Sequence, residues 1–195
     1  MAETKTLEVF GRKDFRKWLE KNHDKENKVA LVMHKKHTGK TSPSHKELME
    51  EAICFGWIDT TIKRLDEDKF IRRFSRRNKN SKWSDNTLSY AKELIGKKRM
   101  TPHGMKFYLD GLKKPTHDHE IPKDPKVPKE FKDALSKNKI AKERFDKLSK
   151  SNRRTYLRWL LRAKLPETRK KRTDAIVKRM STGNTKIGTS LKVNS

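Results

Sequence analysis

The sequence predicts an α+β fold: a small mixed N-terminal domain with a short β-sheet and hairpin, then an all-helical C-terminal domain. Three observations predict it. Short β-branched or aromatic runs at residues 29–33, 57–62 and 70–74 have strand length. Elsewhere apolar residues recur at helical spacing. A stretch with four prolines, residues 113–128, has no periodicity and reads as a linker between the two parts.

Each element has its own signal. Phe15, Trp18 and Leu19 lie at i, i+3 and i+4, so residues 12–22 read as a helix. The continuous run 29–33 suits a buried strand, and Gly39 and Pro43 make a loop of residues 38–43. Ser44 and Glu47 form a capping box ahead of Leu48, Ala52 and Phe55, and Gly56 stops that helix. Runs 57–62 and 70–74 flank the polar turn Asp66-Glu67-Asp68, the pattern of a hairpin. Ser84 can cap a helix carrying Leu88, Ala91, Leu94 and Ile95. Thr101-Pro102 starts the next, with Met105, Tyr108, Leu109 and Leu112 on one face.

Beyond the linker, Phe131 and Leu135 mark one short helix and Ala141, Phe145 and Leu148 a second. Ser149 or Ser151 can open a third, carrying Tyr156, Leu157, Leu160 and Leu161. Pro166 marks the next boundary, and Thr173, Ile176, Val177 and Met180 lie on one stripe of a fourth helix that Gly183 ends. The expected organisation is therefore an α+β domain at 1–112, a linker at 113–128, a helical domain at 129–183 and a disordered polar tail at 184–195.

The composition sets what these domains can do. Of 195 residues, 31% are hydrophobic and 39% charged, close to the limit at which apolar burial offsets ordering entropy. The patterned aromatic residues argue for small, real cores. The net charge is +26 and is not confined to a tail: residues 1–113 carry 27 Lys/Arg against 16 Asp/Glu, and residues 114–195 carry 24 against 9. Such an excess repels itself and attracts nucleic acid or an anionic membrane; a surface adapted to high ionic strength would look the same. The single cysteine, Cys54, excludes an internal disulfide. The N-terminal residues lack the apolar run of a signal peptide, and no stretch approaches a membrane span, so the expected location is cytoplasmic.

Two cationic clusters are candidate nucleic-acid contacts. The first is Arg72, Arg73, Arg76, Arg77, Lys79 and Lys82 with Trp83: guanidinium groups bind phosphate bidentately and an indole can stack on an unpaired base. On a strand Arg72 and Arg73 point to opposite faces, so they cannot all meet one ligand. The alternative is an edge strand guarded by charge, with Trp83 in the core. The second is Arg158, Arg162, Lys164, Arg169, Lys170, Lys171 and Arg172, where residues 169–172 spread around a helix; the alternative is a solvated helix face.

Other motifs are weaker. Cys54-Phe-Gly-Trp-Ile-Asp59 would need a placed histidine to make Cys54 a nucleophile. The plainer reading is a buried thiol, a core Trp57 and an Asp59 paired with an arginine of 72–77. His117-Asp-His-Glu120 lacks a second ligand cluster for zinc. Thr38-Gly-Lys-Thr41 has His34 where a phosphate-binding loop needs glycine. No catalytic set, metal or cofactor is assigned.

Cys54-Phe-Gly-Trp-Ile-Asp59, Arg73-Phe-Ser-Arg-Arg77, Ser81-Lys-Trp-Ser84, Arg99-Met-Thr-Pro-His-Gly104 and Tyr156-Leu-Arg-Trp-Leu160 carry a resemblance. With Ala163-Lys164 and Glu167-Thr-Arg169, they resemble the YdeI/OmpD-associated family in the expected order, from about Phe10 to Gly183. Ser75 and Asn78-Lys-Asn80 depart from its pattern. The resemblance implies a bacteriocin-protection or stress-resistance role and leaves the biochemical activity unassigned. The leading expectation is a non-enzymatic protein that binds nucleic acid or another polyanion. The rivals are a small-ligand binder or enzyme with a pocket around Lys36, Trp57, Asp59, Arg77 and Trp83, and a protection factor acting through a protein partner.

Overall fold

A computed structural model describes residues 4–185. The protein is α+β, with a four-stranded sheet in the N-terminal part and helices in the C-terminal part. The chain divides between His117 and Asp118 into two compact units. Residues 186–195 of the expected tail lie outside the described residues.

In the first unit β1 (Lys5–Glu8) pairs parallel with β2 (Lys28–His34), the two joined through α1 (Arg12–Asn22). β3 (Trp57–Arg64) and β4 (Lys69–Arg76) form the expected hairpin, and the sheet order is β1-β2-β4-β3. β4 therefore pairs on both sides, antiparallel to β2 and to β3, and the idea of an edge strand at Arg72–Arg73 does not hold. β2 is buried from Val29 to His34, which is why it reads as a continuous apolar run. A register shift between Asp59 and Thr61 places a bulge in β3. Sequence reading missed β1: four residues with only Leu7 turned inward give no periodicity.

The helices follow their capping signals. Ser44 Oγ accepts from the Glu47 amide, and Glu47 returns the bond to the Ser44 amide, starting α2 (His45–Cys54). α3 (Asp85–Gly96) starts on Ser84, and α4 (Pro102–Leu112) on Thr101. Leu19, Leu31, Leu48, Ile53, Trp57, Phe74 and Phe15 are fully buried, with Phe15 and Phe74 4.9 Å apart at the core's centre. Trp57 satisfies its indole N–H on the His23 carbonyl at 3.1 Å.

A carboxylate is sunk into this core. Glu51 is 1% exposed, and its carboxylate accepts from Arg12 Nε at 2.7 Å, from Arg16 Nη1 at 3.0 Å and from Arg99. Glu50 accepts from Arg12 as well, at 2.8 Å. Two carboxylates of α2 are thus gripped by two arginines of α1 and one from the turn before α4.

α4 is pinned where α2 ends. The Thr101 hydroxyl and amide both donate to the Cys54 carbonyl, at 2.6 and 3.1 Å. A Cβ on Gly104 would stand 2.1 Å from that carbonyl oxygen, so only glycine allows the approach. This contact fixes the direction of α4 beside the loop that follows β4.

The second unit is four helices, α5 (Lys129–Ser136), α6 (Lys139–Asp146), α7 (Lys150–Leu161) and α8 (Pro166–Ser181). Ser149, rather than Ser151, caps α7. Phe131, Phe145, Tyr156, Leu160 and Ile176 make the centre of its core, with the Phe131 and Phe145 rings edge to face at 5.1 Å. Arg144 donates to the last carbonyls of α8, those of Met180 and Ser181. Two acids of the proline-rich stretch are held: Asp118 by Arg158 and Arg162, and Asp124 by Arg154. Among the described residues, no helix is long and apolar enough to cross a membrane.

Candidate anion-binding site

The loop after β4 and one face of α4 enclose a cavity of about 380 Å³. Arg76, Arg77, Lys79, Trp83, His103, Lys106, Phe107, Asp110, Gly111 and Lys114 line it, with Asn78 and Ser81. Five of these carry positive charge and one, Asp110, carries negative charge.

Arg77 is the unusual member, at 2% exposure. Its backbone amide donates to the Gly56 carbonyl at 2.9 Å, which fixes the chain position. Its guanidinium carbon lies 3.7 Å from the centroid of the Trp83 ring, and Nη1 donates to the Lys82 carbonyl at 3.2 Å. The other two donor nitrogens, Nε and Nη2, are buried and have no protein partner. Burial pulls this guanidinium down to about 10, with the field of Asp59 acting weakly the other way. At neutral pH it remains a cation, held out of water without a carboxylate in contact. Burying a charge without a counter-ion in contact is costly, and this sets Arg77 apart from the other basic side chains of the cavity.

The surroundings hold Arg77 still. Trp83 is 3% exposed and packs into the space left by Gly111, where a Cβ would stand 2.3 Å from the indole. Its ring meets Tyr108 edge on at 6.0 Å. The Lys114 ammonium donates to the Lys79 carbonyl at 2.6 Å, tying α4 to the loop. Arg76 is anchored on the Asp24 carbonyl and Asn27 Oδ1. His103 stands 4.7 Å from the His23 ring, and burial first, then the neighbouring His23, lowers its pKa. It is therefore neutral at pH 7.

The first predicted cluster divides accordingly. Arg76, Arg77, Lys79 and Trp83 come together around the cavity. Lys82 is exposed beside it, its carbonyl orienting Arg77. Trp83 is in the core and its face is taken by Arg77, so it offers no platform to a base. Arg72 lies against Asp59 instead, Nη1 to Oδ2 at 3.5 Å, as the arginine pairing expected for Asp59. Arg73 is half-buried on β4. Of the five residues suggested for a ligand pocket, only Arg77 and Trp83 line this one. Trp57 is core, Asp59 is paired with His45 and Arg72, and Lys36 is exposed on a 3-10 turn.

The second predicted cluster does not form one face. Arg158 and Arg162 grip Asp118. Arg169 donates to the Ala163 carbonyl, while Arg172 donates to that of Trp159 and covers its ring at 5.0 Å. Lys171 pairs with Glu167 at 2.9 Å, leaving Lys164 and Lys170 exposed. The groove between α5 and α8 that Lys164, Arg169 and Lys170 border is larger, about 1020 Å³. Its five cations, Lys137, Lys164, Arg169, Lys170 and Lys178, face three carboxylates, Glu130, Asp133 and Asp174, so its charge is partly balanced within its own walls, against one carboxylate for five cations in the smaller cavity. Cavity size and chemistry thus point to different places, and the buried, unpaired guanidinium decides for the smaller one.

Sequence reading did not foresee the α4 wall. His103, Lys106, Phe107, Asp110, Gly111 and Lys114 fall at 3- and 4-residue steps, the spacing of one helix face. What the sequence withheld was which surface that face meets. Cys54 is fully buried, and burial raises its thiol pKa, so it is no nucleophile at rest. Among the described residues, no group of three or more His, Cys, Asp or Glu side chains could hold a metal ion.

Comparison with known proteins divides the chain as the fold does. Residues 7–107 match the model of a domain of unknown function, DUF8412. Residues 124–183 match the model described as bacteriocin-protection, YdeI or OmpD-associated. The motifs from Cys54 to Gly104 thus fall under the first model, and the second is confined to the helical unit. No curated protein and no solved structure matches the chain. The cavity around Arg77 is built mostly from the segment matched by the first model, and on that match the chain belongs to the DUF8412 family, with a C-terminal unit of the YdeI/OmpD-associated kind.

Proposed function

We propose that the protein is a non-enzymatic binder of polyanions, nucleic acid foremost, and that the rim of the Arg77 cavity is its principal contact surface. The observation that carries this is the cavity's charge: Arg76, Arg77, Lys79, Lys106 and Lys114 line it against Asp110 alone, and the bonds that Arg76, Arg77 and Lys114 make there go to neutral oxygens that leave their charge uncompensated. Most cations of the second unit's cluster are already engaged with carboxylates and carbonyls of that unit. Contacts of this kind neutralise backbone phosphates and read little sequence. A protective role, in line with the bacteriocin-protection description of the C-terminal family model, would follow if the bound polyanion is what the protein shields.

Labelled DNA and RNA titrated at several salt concentrations test this. Binding is expected with weak sequence preference, and the logarithm of affinity should fall linearly with the logarithm of salt, by about 0.9 per duplex phosphate neutralised. Combining Lys79→Glu, Lys106→Glu and Lys114→Glu should weaken it strongly. Absence of binding at low salt overturns the reading.

A further inference from the structure

We infer that the floor of this cavity is a discrete site for one phosphate group, of the dianionic kind carried by inorganic phosphate and phosphomonoesters. The inference rests on reading the rim as an anion surface, but it concerns a different ligand: a terminal phosphate rather than a backbone.

Two donors of Arg77 without a protein partner define the site; they have almost no accessible surface, so an anion reaches them once the rim side chains part. Nε and Nη2 are neighbours on one edge of the guanidinium, and their N–H bonds run parallel, the fork that takes two oxygens of one oxyanion. They are the two that lack a protein partner, while Nη1, on the other edge, is used on the Lys82 carbonyl. The plane is fixed by the Trp83 ring beneath it at 3.7 Å. A fork oriented by its surroundings loses little entropy when it binds.

Charge and size then select the anion. Lys106 lines the cavity from α4, Lys79 from the loop, Arg76 from the end of β4 and Lys114 from just beyond α4, and the last two spend their bonds on neutral oxygens and keep their charge, so a dianion is better matched than a carboxylate. A backbone phosphodiester carries one charge and substituents on two sides, which suits the open rim and not a floor where Arg77 is 2% exposed. The volume of about 380 Å³ corresponds to roughly a dozen water molecules at about 30 Å³ each. A phosphate fills part of it, and the remainder, beside Phe107 and neutral His103, accommodates the group esterified to it.

The test is calorimetric titration of the full chain at low ionic strength with inorganic phosphate, adenosine monophosphate and adenosine. One saturable phosphate or monophosphate per chain is expected, with no binding of adenosine. Arg77→Lys keeps the charge and removes the fork, and should weaken binding about tenfold or more. Lys106→Glu, at an exposed position, should also weaken it. Equal binding of adenosine and its monophosphate, failure of phosphate to bind, or wild-type affinity in a folded Arg77→Lys protein overturns the proposal. If circular dichroism shows Arg77→Lys unfolded, Lys106→Glu decides: unchanged affinity there overturns it equally. A long oligonucleotide with 5′-hydroxyl ends separates the two readings. If it fails to bind while phosphate binds, the polyanion function is lost and the phosphate site stands. If it binds while phosphate does not, the phosphate site is lost and the polyanion function stands.

Discussion

Glu51 shows what one residue contributes when its partners are removed from water. It is almost fully buried and faces three guanidiniums, so Glu51→Ala leaves Arg12 and Arg99 sharing Glu50 and Arg16 with Glu20 alone, all three partly buried. A loss of about 3–5 kcal/mol is expected, read from urea unfolding midpoints. Asp59 behaves differently because its partners are partly solvated. The hydrogen bond from His45 is the main cause that holds its carboxyl below the ordinary range, with Arg72 adding to it. Its stabilising effect is present above the ordinary carboxylate pKa and is lost as pH falls through the depressed value. Asp59→Asn should therefore flatten the acid limb of a stability-against-pH profile and change little below it. Cys54 should resist iodoacetamide in the native protein and react once urea unfolds it. At this scale the sequence was legible where pairing is local in kind, as with Asp59 and an arginine of 72–77. It was illegible for Arg77, because an arginine in a charge run carries no mark that burial has separated it from its neighbours.

Four helices were legible because their own first residues announce the start, and the others by their apolar spacing. Ser44, Ser84, Thr101 and Ser149 cap the helices that their spacing predicts. Ser44→Ala should cost about 1 kcal/mol in the same unfolding assay. β1 was not legible, since its stability comes from the neighbouring strand and not from its own four residues. The hairpin was, but its place in the sheet depends on the antiparallel pairing of β4 with β2, a long-range fact. The same holds for α4, whose face was readable and whose partner was not. Gly104 is the residue that settles that partner. Gly104→Ala forces α4 away from the Cys54 carbonyl, and a destabilisation of about 1–3 kcal/mol is expected. Because α4 supplies one wall of the cavity, the same substitution should weaken anion binding with Arg77 itself unchanged.

The whole molecule carries +26 over two cores, so its stability depends on what screens it. Added sodium chloride should raise the thermal midpoint from its low-salt value, by about 2–4 °C for each kcal/mol of repulsion relieved. Composition made the charge excess plain, but only the fold separates cations that hold the protein together from those left uncompensated at a cavity. The arginine-carboxylate cluster of the first unit also has a consequence in time. It joins residues 12 and 16 to 50 and 51, and these to 99, so segments of some forty residues must be closed before any of its bonds forms. Ion pairs whose geometry closes only after three separate segments have met are expected to have low φ-values, forming after the rate-limiting barrier to folding has been crossed. Substitution of Glu51 should then leave the refolding rate nearly unchanged and put most of its effect into faster unfolding, so the cluster sets how long the native state lasts more than how quickly it is reached.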